Sequence, residues 1–295
     1  FPANDALRKA FLKMPGYRTI PELVAILRAG RSAYPYTVRI EVLKLLGELD
    51  VEYCLQIVLE NLPILPVSEA KEFSKMLAQQ TGKAFDDKVT QLFESTDSSV
   101  RAALITSLPA AEKKDFLGTI RSSLKDAEPN VRIASIWSLL DFNDIKTVNM
   151  SFDMLRDPVE RVRVEVAKAI GSCATAARIE DLKKIIEDKN EVISVKEAAV
   201  QGLGFADDPA SVDALCDVYE GIEELRGEIE VSLSQKTGKK QLQRLADIFK
   251  DAVPVLKDGI TRAASGMKEK GEEAMVGLLA EDISSLKPYL AEILE

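Results

Sequence analysis

Residues 157–171 read DPVERVRVEVAKAIG, and this stretch decides the fold. Asp157 stands before Pro158, a position that proline pushes out of the helical region, so a preceding helix stops here. Val162-Arg163 opens the next helix. Val162, Val166 and Ile170 recur at four-residue spacing, which places them on one face of a helix turning every 3.6 residues. Gly171 stands at the expected helix end, where a left-handed residue costs least.

The same pattern recurs along the chain. With Arg163 as a mark, the matching basic residues are Arg39, Lys71, Arg101, Arg132, Arg163, Lys196 and Arg226, with Arg262 as a weaker eighth. Their spacings are 32, 30, 31, 31, 33, 30 and 36 residues. A period near thirty is the signature of a solenoid, in which each unit buries its apolar side against its neighbours. The residue before the mark is Val38, Val100, Val131, Val162, Val195 or Leu225, and the seventh after it is Leu46, Leu108, Leu139, Ile170, Leu203 or Leu233. Gly47, Gly171 and Gly204 follow that last position and read as left-handed helix ends.

Between marks lies a second helical run: Leu117, Ile120 and Leu124; Ile145, Val148, Phe152 and Leu155; Ile179, Leu182, Ile185 and Ile186. Each run ends in a turn rich in Asp, Glu, Asn or Pro. Two antiparallel helices per thirty-odd residues, joined by a turn before a Val-Arg pair, resemble the HEAT repeat family in its short bacterial form. The resemblance covers residues 17–265. It implies an all-α, right-handed α-solenoid of about seven to eight helix pairs, whose second helices line a concave inner surface. Residues 1–16 then read as an N-terminal cap, with Pro15-Gly16 at its end, and residues 266–295 as C-terminal capping helices.

Composition narrows the function. The net charge is −9, from 39 basic and 48 acidic residues. Nucleic-acid binding is not expected, because affinity for phosphate backbones comes mainly from counterions released around Lys and Arg. Cys54, Cys173 and Cys216 are widely spaced and odd in number, so they read as small buried hydrophobes and not a disulfide framework. No apolar run is long enough to cross a bilayer. A cytoplasmic location is expected. A chain that begins at Phe1 is expected to be a segment of a longer protein, with flanks that have room for a membrane anchor or a second domain.

Two sets of residues stand out. The ladder Arg39, Arg101, Arg132, Arg163, Lys196 and Arg226 follows acid-containing turns. Bonding to the residue's own turn or to that of the neighbouring unit would fix the geometry between repeats, whereas gripping an acidic ligand is the alternative use. The second, fifth and ninth positions after the mark point away from the buried stripe and form the expected partner-binding face. Its candidate residues are Glu41, Lys44, Thr106, Trp137, Asp141, Glu165, Lys168, Gln201 and Phe205. Trp137, the only tryptophan, is either a hot-spot anchor in the groove or a side chain folded over Ala103 or Ala134.

Chemistry is poorly served. Ser68-Glu-Ala-Lys71 and Lys236-Thr-Gly238 match a serine β-lactamase pattern in order, but no S-D-N element intervenes and no strand pattern surrounds Lys236. With no histidine there is no Ser-His or Cys-His pair, no imidazole metal ligand and none of the His-Glu iron sites of HEAT-type hydroxylases. No cofactor is expected. The expected function is a non-enzymatic scaffold that binds a protein or peptide in the concave groove, as part of a larger regulatory or assembly protein. The resemblance implies one alternative, a HEAT-like repeat enzyme subunit of the bilin lyase or DNA glycosylase kind. Nine acids in 207–230 against the basic run from Lys236 to Lys270 offer a second, self-association through opposite charges.

Overall fold

The computed structural model describes residues 16–29, 33–35, 38, 39, 41, 42, 45 and 83–267. The expected cap over 1–15, the second repeat with Lys71, Gly47, Cys54 and the helices beyond 267 lie outside the described residues. The chain divides into two compact units, 1–143 and 144–295. Helices connected by turns make up both, with no strand among the described residues.

In the first unit, α1 (Gly16–Arg28) is followed by α2 (Lys83–Phe93), α3 (Ser98–Ser107), a 3-10 turn over 114–116, α4 (Leu117–Ser123) and α5 (Pro129–Asp141). α2 pairs with α3 and α4 with α5, and the second helices of the two pairs, α3 and α5, stack on each other. Leu104, Ile105, Ile120, Ile136 and Leu139 are fully buried between the layers. The Ser138 hydroxyl donates across the stack to the Ile105 carbonyl at 3.0 Å. The unit ends on Asn143, in a left-handed conformation (φ 60°) that asparagine tolerates at helix ends.

The second unit contains α6 (Ile145–Met150), a 3-10 run over 151–156, α7 (Glu160–Gly171), α8 (Ala176–Glu187), α9 (Ile193–Phe205), α10 (Ala210–Tyr219), a 3-10 turn over 223–225, α11 (Arg226–Ser234), α12 (Lys239–Asp251) and α13 (Pro254–Ser265). Its second helices stack in the order α7, α9, α11, α13, and its first helices in the order α8, α10, α12. This layered stacking of helix pairs is an all-α solenoid.

Five of the turns are built alike. In each, an aspartate carboxylate accepts the backbone N–H two residues on, which closes the turn and frees the next residues to enter a helix. The pairs are Asp97 with Ser99, Asp126 with Glu128, Asp157 with Val159, Asp188 with Asn190 and Asp208 with Ala210, all at 2.8–2.9 Å. At the register positions read from the sequence, Val131, Val162, Val195 and Leu225 are fully buried, as are Leu108, Leu139, Ile170, Leu203 and Leu233.

The structure corrects the register at the end of the array. Each mark is the fourth residue of its helical run; in α13 that residue is Lys257, not Arg262. Leu256, Ile260 and Ala264 then take the three buried positions, all under 9 % exposed. Arg262 was misleading because it is the arginine nearest that place, whereas the true mark is a lysine, preceded by Leu256 as Arg226 is by Leu225.

The glycines are a second correction. Gly171 is the last residue of α7 and Gly204 the second-last of α9, at the helix ends as expected, but neither adopts a left-handed φ. They are contact glycines. A Cβ on Gly171 would lie 2.3 Å from Gly202 Cα, and one on Gly202 would lie 2.6 Å from the Ala167 carbonyl oxygen. A Cβ on Gly204 would meet the Ser232 side chain at 3.0 Å. Only side chains of a single hydrogen let these helices stack so closely.

Candidate protein-binding face

The ladder residues act between turns. Arg163 Nη1 donates to the Asp157 carbonyl at 2.8 Å, while its Nε and Nη2 hold both Glu191 carboxylate oxygens at 3.1 and 2.9 Å. Arg101 repeats the arrangement, with Nη1 on the Ser95 carbonyl at 2.5 Å and Nε and Nη2 on Asp126 at 3.0 and 2.8 Å. Arg132 Nη1 bonds the Asp126 and Ala127 carbonyls, and Arg226 reaches the Tyr219 and Glu220 carbonyls. One side of each guanidinium thus closes its own turn. In Arg101 and Arg163 the other side grips an acid belonging to the next turn, a two-pronged bond that a lysine cannot make. Burial raises the Asp126 carboxyl, but the bonds from Arg101 and the Glu128 N–H outweigh it and hold the group below the ordinary carboxylate value. Arg39 is buried and Lys196 half-buried at equivalent positions.

Opposite charges in the last third also face each other within the chain. Lys183 of α8 pairs with Asp217 of α10 at 2.7 Å, Asp213 of α10 with Arg244 of α12 at 2.6 Å, and Glu230 of α11 with Arg262 of α13 at 2.8 Å. Tyr219 completes the last pair: its hydroxyl donates to Glu230 and accepts from Arg262, and its ring fills the space above Gly259. The charge reversal in the sequence is therefore used in part to stack one repeat on the next.

Lys236 of the K-T-G run is only 1 % exposed. Its ammonium donates to the Leu203 and Ala206 carbonyls at the end of α9, and Gln241 Nε2 adds bonds to the Ala206 and Asp207 carbonyls at 3.1 Å. A cation at the negative end of a helix dipole is favourable, and here it caps α9 from the following repeat. Burial pushes the Lys236 group down to about 8. Burial also pushes the Cys216 thiol up to about 12 and raises Cys173, the reverse of what a nucleophilic cysteine needs.

The solvent side of the second helices is narrower than its sequence positions imply. Fifth and ninth positions after the mark are open or half-open; among second positions Ala134, Ala198 and Gly259 are buried, while Glu41, Ala103, Glu165 and Glu228 are half-buried. A helix flanked by a stacked neighbour on each side keeps only a thin exposed stripe. Thr106 and Asp141 are exposed, and Trp137 is half-buried. Glu41, Glu165, Lys168 and Gln201 are half-buried, with Lys168 reaching Glu165 at 3.9 Å. Lys44 lies outside the described residues. Phe205 is 58 % exposed, and on the adjoining helix Val231 is 53 % exposed. The two flank the Gly204–Ser232 contact, so an apolar pair stands open across two repeats. Val231 was missed because the pattern loosens after Pro209, although it is the fifth residue after Arg226.

Among the described residues no helix is long and apolar enough to cross a membrane, and no group of His, Cys, Asp and Glu is arranged to hold a metal. A family model described as HEAT repeats matches residues 148–234. No curated protein matches the chain. Among solved structures it is similar to human deoxyhypusine hydroxylase in complex with glycerol, at 15 % identity over 84 % of this chain and 97 % of that one, TM-score 0.33. It is also similar to Escherichia coli YibA, at 18 % identity over 88 % and 95 %, TM-score 0.45. Kap121p bound to Nup53p matches at 13 % identity with TM-score 0.52, over 99 % of this chain and 38 % of that one. The match gives residues 148–234 HEAT repeats, and the helix pairs stacked in two layers are an all-α solenoid, a fold like that of Kap121p.

Proposed function

We propose that this chain is a non-enzymatic scaffold that holds a protein or peptide against the solvent stripe of its second helices, in the cytoplasm, within a larger regulatory or assembly protein. One observation carries the reading. The arginine ladder and the helix-to-helix ion pairs join one repeat to the next, while large apolar side chains stay open on that stripe. An exposed phenylalanine beside an exposed valine is uncompensated in the isolated chain and gains from being covered. Two groups that chemistry could have used are otherwise engaged: Lys236 caps a helix and Cys216 is buried. Kap121p, which has this fold, was seen bound to a protein, Nup53p.

The test is affinity capture of partners with the unmodified chain and with the Trp137→Ala and Glu165→Lys variants, each checked by thermal melting. Loss of bound partner at unchanged melting temperature is expected. Capture indifferent to both changes, with Trp137→Ala merely less stable, would remove the reading.

A further inference from the structure

The stripe in the second unit also has a charge pattern. On α9, Glu197, Gln201 and Phe205 follow at four-residue intervals; Glu224, in the 3-10 turn that leads into α11, and Glu228 of α11 precede Val231 at four- and three-residue spacing. Asp258 holds the matching place on α13. Glu197, Glu224 and Asp258 are exposed and Glu228 half-buried, and none of the four is in an ion pair among the described residues. The cations along the same stripe are already engaged, Lys168 with Glu165 and Arg262 with Glu230. Helix dipoles explain acids in a first turn only, and Glu197 and Asp258 are the fifth residues of their helices. An open apolar pair thus adjoins unpaired carboxylates spread over three stacked helices.

From this juxtaposition we infer that the second unit takes a basic amphipathic protein segment, whose bulky apolar side chain covers Phe205 and Val231 while its Lys or Arg residues lie over Glu197, Glu224, Glu228 and Asp258. This rests on the reading of the second-helix stripe as a partner-binding face. Apolar burial supplies affinity, and the carboxylates select the sign of the partner and speed its encounter.

The test uses two synthetic helical peptides of about 20 residues, long enough to span roughly 30 Å. They share one leucine face and differ only in a lysine or a glutamate polar face. Fluorescence anisotropy is read with the full chain, with Phe205→Ser/Val231→Ser, and with Glu197→Lys/Glu224→Lys/Glu228→Lys. All five positions are exposed or half-exposed, and circular dichroism confirms that each variant folds. The lysine peptide is expected to bind and weaken with added salt. The apolar double variant should lose about tenfold or more in affinity, the size of a hot-spot truncation. The charge-reversed variant should lose the lysine peptide and lose its salt dependence. Binding of the glutamate peptide through Phe205 would overturn the basic partner but leave the stripe as a binding face. Lysine-peptide binding indifferent to Phe205 and Val231, or no binding of either peptide, would overturn the inference, while partner capture still tests the broader reading.

Discussion

Gly171 of α7 and Gly202 of α9 let two second helices meet backbone to backbone: a methyl group on Gly171 would stand 2.3 Å from the Gly202 Cα. In an open helix, replacing glycine by alanine stabilises by about 1 kcal/mol. Here the added carbon has nowhere to go, because the obstacle is backbone and not the end of a flexible side chain. Gly171→Ala is therefore expected to destabilise by about 1–3 kcal/mol, the usual cost of overpacking. Gly118, whose added Cβ would meet nothing within 4 Å, is the control and should tolerate alanine. Urea unfolding of the two variants reads the opposite signs directly.

Arg163 ties its own turn to Glu191 with three bonds at about 3 Å, half-buried on both sides. Arg163→Lys keeps the charge but loses the fork, so it should cost about 1–2 kcal/mol, in the range of bonds to charged groups. Glu191→Gln should cost a similar amount. The double variant should cost less than the sum, because the two changes remove one shared interaction. Strict additivity by chemical denaturation would show that the fork does not couple the two turns.

Lys236 offers a pH signature. Its group sits near 8 in the folded chain against an ordinary 10.5. Between those values the unfolded chain holds a proton that the folded chain has released, so this residue contributes increasing stability as pH rises from about 8 to 10.5. Lys236→Met removes a charged donor from the Leu203 and Ala206 carbonyls, which keep the Ala206 N–H and Gln241, and should cost about 1–3 kcal/mol. The gap between the two proteins should widen across the same alkaline window. A gap that narrows with rising pH would mean that the bound ammonium, and not burial, governs the group.

Cys216 is buried and its thiol lies near 12, whereas Cys173 is half-buried with a smaller upward shift. Since only the thiolate reacts, native protein at neutral pH should be alkylated at Cys173 first, with Cys216 labelled mainly after urea unfolding. Site-resolved mass spectrometry distinguishes the two. Early labelling of Cys216 would place α10 in a locally open state.

The sequence by itself determined the repeat. A mark every thirty-odd residues, with branched apolar residues one before and seven after it, is set by the helical period, and it fixed which side chains are buried from Val100 to Leu233. It also carried the place of the turns at Asp97, Asp126, Asp157 and Asp188, because aspartate closes a turn by bonding its own backbone. The function of single residues was decided by stacking, which no local pattern records. Gly171 does end α7, but the reason it must be glycine is the neighbouring helix packed against it, not a left-handed φ. Lys236 looks like part of a catalytic triplet until it is seen capping α9 from the next repeat. Acids and bases thirty residues apart in the last third read as a means of self-association, yet side by side they are partners within the chain. Periodicity reports which way a side chain points from its own helix. Only the contact between repeats decides what it meets there, and so which residues are left open to bind something else.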